Sequence, residues 1–114
     1  MENIDEFTKI IEGNIDEVQS LFNDYQIKCF PERSPEFFCL ELNGEAGELA
    51  NAEKKRWKGR IVDEDIFWDE SADVLIALMN YANARGVNLG KAVRKKLHKI
   101  ERDRIELKKQ GKEF

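Results

Sequence analysis

The sequence is poor in residues that punctuate or cross-link a chain. Its 114 residues include 2 proline, 2 cysteine, 1 histidine and 7 glycine residues. So little proline and glycine excludes collagen-like and linker-like chains. Cys29 and Cys39 lie outside a C-x-x-C spacing and are too few for a disulfide framework. With His98 as the sole histidine, a zinc site or a Cys–His nucleophile is poorly served. Long apolar runs are absent too. The longest, Val74–Met79, is far short of the ~20 residues of a membrane span, so no membrane partner is expected. Glu2, Asp5 and Glu6 give the N-terminus nothing of a secretory leader's basic start. The expectation is a cytoplasmic protein with reduced cysteines. Basic excess is missing as well: 19 Lys+Arg face 23 Asp+Glu, a net charge of -4, which disfavours nucleic-acid binding.

What is present is helical periodicity. Hydrophobic residues make up 41% of the chain, enough for one modestly cored domain over 1–114. Ile4, Phe7, Ile11, Ile15, Val18 and Phe22 recur at three- and four-residue steps. They predict a helix over about 4–28, or two helices broken near Gly13. Pro31 ends it. Ser34-Pro35 reads as an N-cap with proline at the first helical position, opening a second helix to about Lys58, ended by Gly59. Asp63 or Asp65 can cap a third helix to Arg85, with Gly86 as its stop. Asn88 can cap a fourth from Leu89 to Lys109. No alternating run or hairpin turn predicts a strand. The expected fold class is all-α, a four-to-five-helix bundle whose core covers about 35–107.

The third helix is unusual. Ala72–Ala84 carries one charge, Asp73, and its apolar residues surround the axis. Such a helix should be buried nearly all round, and a domain this small needs a partner subunit to do that. Its one polar stripe holds Glu70, Asp73, Ala77 and Asn80. Glu70 and Asp73 are neighbours at i and i+3. The second helix repeats the feature with Glu45 and Glu48, beside the apolar stripe of Phe38, Leu42 and Leu49, while Glu41 reads as solvated surface. Side by side, the two helices would bring four carboxylates together at the edge of the core. Their mutual repulsion and desolvation would be relieved by a hard cation, Mg²⁺ or Mn²⁺. A di-iron site would instead want Glu-x-x-His on two helices.

The segments Glu45-Ala-Gly-Glu48-Leu49-Ala50 and Glu70-Ser-Ala-Asp73-Val74-Leu75, with the turn Gly86-Val87-Asn88-Leu89, resemble the E-x-x-E … E-x-x-D pattern of MazG-like nucleotide pyrophosphohydrolases. That family belongs with the all-α NTP pyrophosphatases, which include dimeric dUTPases and dCTP pyrophosphatases. The resemblance covers about Pro35–Arg104. It implies a homodimer or homotetramer that cleaves a nucleoside triphosphate between its α- and β-phosphates with Mg²⁺. It implies Glu45, Glu48, Glu70 and Asp73 as metal ligands. Lys96 matches the lysine opening a K-x-x-x-N pattern on the last helix, where Ile100 replaces the asparagine. The arginine that follows aligns with Arg102 or Arg104. On this reading Glu45 or Glu48 takes a proton from the attacking water, and Lys96 with a fourth-helix arginine holds phosphate.

Base recognition has several candidates. Trp57, near a helix end among Lys54, Lys55, Arg56 and Lys58, is the leading stacking residue; Trp68, Phe22, Tyr25 and Phe30 are others. Asn80 and Asn83 suit either a base edge or a hydrogen bond between helices. His98 and the basic residues Lys91, Arg94, Lys95 and Lys99 read as surface. Two rival functions remain: a non-catalytic helical interaction module that keeps the fold, and a nucleic-acid binder using Lys91–Lys112.

Overall fold

The computed structural model describes residues 2–114, with side chains from Ile4 onward. It contains four helices: α1 (Glu2–Cys29), α2 (Pro35–Trp57), α3 (Glu64–Arg85) and α4 (Leu89–Lys109), and no strand among the described residues. None of the helices is long and apolar enough to cross a membrane. Each boundary has a local cause. Ser34 Oγ accepts from Phe37 N at 3.2 Å ahead of Pro35, and Asp63 Oδ1 accepts from Asp65 N at 3.0 Å. Gly86 ends α3 at φ 80°, a left-handed conformation that costs glycine nothing. Asn88 Oδ1 then accepts from Lys91 N at 3.0 Å to start α4. α1 runs unbroken through Gly13.

The chain divides into two compact units. The first, Phe22–Gly86, contains the end of α1, α2 and α3. Here α2 and α3 are antiparallel neighbours, clipped near both ends by ion pairs: Arg56 to Glu64 at 2.6 Å and Arg85 to Glu36 at 3.3 Å. Both pairs are exposed, so each contributes at most about 1 kcal/mol and serves mainly to hold register. Packing supplies more. Phe38, Ala52, Ala77, Met79 and Ala82 are buried, and burying a side chain such as Met79 is worth about 1.5–3 kcal/mol. The expectation that α3 is covered on all sides is not met within this chain. Leu75 stays 54% exposed and Ile76 43%, because α2 shields only one sector of the helix.

The second unit joins α1 as far as Leu21 with Val87–Phe114. Its contacts are specific rather than broadly apolar. Gly90 lies so close to α1 that a Cβ there would sit 2.5 Å from the Glu12 carbonyl oxygen. Gln19 is buried; its amide nitrogen donates to the Val87 carbonyl at 2.8 Å, and its oxygen accepts from Leu89 N at 3.0 Å. Thr8 is fully buried and meets His98 Nε2 at 3.1 Å. His98 is therefore a half-buried packing partner, not the surface residue its position off the α4 stripe suggests. Arg94 is likewise engaged, in a 2.7 Å ion pair with Glu12.

Candidate metal centre

The register set by the two ion-pair clips places Glu45 and Glu48 of α2 opposite the Glu70–Asp73 turn of α3. One carboxylate oxygen from each of Glu45, Glu70 and Asp73 lies within 4.8 Å of the others, and all three residues are half-buried. Glu48 is exposed, yet close enough to hydrogen-bond the Glu70 carboxyl. Three of the four acids read from the sequence thus meet, while Glu48, expected as a fourth ligand, stands outside that group because its position on α2 leaves it in solvent. Glu41 stays exposed, as expected of a surface residue.

The electrostatics of the cluster are unfavourable as it stands. Desolvation, then hydrogen bonding and charge from Glu48 and charge from Glu45, push the Glu70 carboxyl up to about 7. Glu45 is raised too, by desolvation and by the charges of Asp73 and Glu48. Glu45 Oε2 and Glu70 Oε2 are buried without a hydrogen-bond partner. Buried polar atoms are normally satisfied, so two orphaned carboxylate oxygens in one cluster leave a place for a positive ligand. The donor set is oxygen only, which suits a hard cation. Around octahedral Mg²⁺, with bonds of about 2.1 Å, ligand oxygens lie about 3.0 Å apart when adjacent and about 4.2 Å when opposite. The observed spacing needs only side-chain adjustment to match, so the residues fit the ion.

The same unit contains a cavity of about 850 Å³, within the ~300–1,000 Å³ range of small-molecule sites. Its walls come from the end of α1, the 30–35 connection, the start of α2 and the last turns of α3. Phe30, Phe38, Asn80 and Asn83 line it, with Gln26 and Arg33. Phe30 packs edge-on against Tyr25, with ring centroids 5.6 Å apart. Asn80 and Asp73 share a stripe of α3, seven residues and roughly 10 Å apart along the axis.

Other predicted residues fall elsewhere. Trp57 is 89% exposed at the end of α2 and does not line the cavity; Trp68 is also exposed. Lys96, Arg102 and Arg104 are exposed residues of α4 and belong to the second unit, where Arg104 pairs with Glu101. Asn23, Gln26 and Arg33 join the cavity lining with no motif to mark them. Their one signal is the Pro31–Pro35 break, which sets a loop against the helix ends. The chain matches no protein-family model, and neither the curated proteins nor the solved structures include a significant match to it.

Proposed function

We propose that the protein is a Mg²⁺-dependent nucleoside triphosphate pyrophosphohydrolase, yielding the nucleoside monophosphate and pyrophosphate. The observation that supports this reading is the meeting of Glu45, Glu70 and Asp73, with two buried oxygens left unpartnered. Glu45, Glu70 and Asp73 hold the cation. When bound, Mg²⁺ neutralises phosphate oxygens and lowers the pKa of a coordinated water. Glu48, the exposed member, would accept the attacking water's proton as the bond to the leaving pyrophosphate breaks. The exposed Leu75 and Ile76 side of α3 is covered by a second copy, making the protein a homo-oligomer.

The test is pyrophosphate release from a panel of NTPs and dNTPs, with and without Mg²⁺. Wild type should turn over only with metal, and Glu48→Ala should lose about 10²–10⁴-fold in kcat, the range for a general base. The exposed apolar side of α3 also suits a non-catalytic interaction module. That reading prevails if folded, metal-loaded protein releases pyrophosphate from no member of the panel.

A further inference from the structure

We propose that α1 and α4 are one half of a four-helix bundle, completed by α1 and α4 of a second copy of this chain. This interface is additional to the one proposed at α3 and independent of the acid cluster. The unit that joins α1 to α4 has no buried hydrophobic side chain among the described residues. Phe38, Ala52, Ala77, Met79 and Ala82 all belong to the other unit. What is buried between α1 and α4 is polar or bare: Thr8, Gln19 and Gly90. Helices in proteins are held mainly by packing an apolar face. Here that face is present and uncovered, since Phe7, Ile10, Val18 and Leu21 are each at least half exposed.

The uncovered residues share one side. Thr8 meets His98 and Glu12 meets Arg94, so the two helices run antiparallel. Phe7, Ile11 and Val18 each stand one residue before Thr8, Glu12 or Gln19, the contact residues of α1. Val93 and Leu97 stand one residue before Arg94 and His98, and Ile100 continues their stripe. One residue turns a helix by about 100°, and between antiparallel neighbours that turn leads to the same side of both. The pair is therefore a two-helix layer with a single apolar face. Two such layers stacked on that face make a four-helix bundle. Over residues 4–21 the face is about 27 Å long and about 20 Å wide. Its projection of about 500 Å², larger as accessible area, is of the order of the ~800 Å² that each partner of a stable complex buries. Charge selects the stacking. Ile4–Leu21 carries five acids against Lys9, whereas α4 carries nine Lys and Arg against three acids. A twofold axis along the helices sets α1 on the partner's α4, so opposite charges meet; an axis across them would set α1 on α1.

The experiment is light scattering over a dilution series of wild type, Val18→Glu, Ile100→Glu and Leu75→Glu, with hydrogen exchange at the α1 and α4 amides. Val18→Glu and Ile100→Glu change the two helices independently, and each should weaken self-association at least about thirtyfold, as losing a central interface contact does. In wild type, the α1 and α4 amides should exchange faster on dilution. That measurement decides the matter even if a variant loses its helices along with its partner. High salt should weaken the association; strengthening would overturn the stacking of α1 on α4. The interface is overturned if both variants keep the wild-type mass, or if exchange in α1 and α4 ignores concentration. A wild-type monomer that moves onto anionic phospholipid vesicles would overturn it in favour of a lipid surface. Mass lost in Leu75→Glu alone overturns this interface and keeps the one at α3; mass lost in Val18→Glu and Ile100→Glu alone does the reverse.

Discussion

Gly90→Ala should destabilise this protein, although alanine is ordinarily the better helix former. The added Cβ would lie 2.5 Å from the Glu12 carbonyl oxygen, 3.1 Å from its Cα and 3.2 Å from its carbonyl carbon. All three are backbone atoms, so no rotamer change relieves the clash, and α1 and α4 must separate locally. Overpacking of this kind costs about 1–3 kcal/mol. Against it stands alanine's helix advantage of at most about 1 kcal/mol, reduced here because Gly90 lies in the first turn of α4. The net is a loss of about 1–2 kcal/mol, or a fall in Tm of roughly 4–16 °C at the size scaling of small domains. Gly44→Ala is the matched control. It lies inside α2, and a Cβ added there would have nothing within 4 Å, so it should raise Tm by up to about 8 °C. Thermal melts followed by circular dichroism compare the two directly. The disturbance should also reach the Gln19 bridge, and faster hydrogen exchange at the Leu89 amide would report it. If Gly90→Ala melts as high as Gly44→Ala, the backbone of α1 does not rest on Gly90 and this account of the unit is wrong.

Two further outcomes follow from the acid cluster and from α3. Because the Glu70 carboxyl is raised from its ordinary 4.5 to about 7, its contribution to metal-free stability is complete below about pH 4.5 and lost as pH rises through 7. Metal-free protein should therefore melt lower at pH 8 than at pH 5, and Mg²⁺ should restore more at pH 8. Since the ion competes with that proton, its affinity should be about tenfold weaker at pH 6 than at pH 8; a pH-independent affinity by calorimetry would contradict the assignment. Leu75→Glu, on the exposed side of α3, should shift the assembly toward monomer in size-exclusion chromatography with light scattering, and an unchanged mass would place the interface elsewhere.

Helix boundaries were the most legible part of the sequence, because each depends on residues a few positions apart. Ser34-Pro35, Gly86 and Asn88 act through local hydrogen bonds and backbone preference and stand where the sequence places them, while of the two aspartates offered for α3 it is Asp63 that caps the helix. The acid cluster was legible for a related reason: two E-x-x-acid pairs on adjacent antiparallel helices need only the correct register to meet. Gly13 was ambiguous because a lone helical glycine costs only about 1 kcal/mol, which the surrounding contacts of α1 override. What the sequence hid is long-range. Thr8 and His98 are 90 positions apart, and nothing local marks a histidine off the apolar stripe as half-buried.

The acid cluster also bears on how the whole molecule behaves as a colloid. The chain's net charge is -4. A divalent ion held in the cluster would take a protomer to about -2, and a second would take it to about zero, where proteins repel their copies least and associate or precipitate most readily. Loading the site would therefore weaken repulsion between protomers as well as within the cluster. A protomer that holds divalent cations there would have its solubility and self-association tied to their free concentration, through charge alone and without any change of fold.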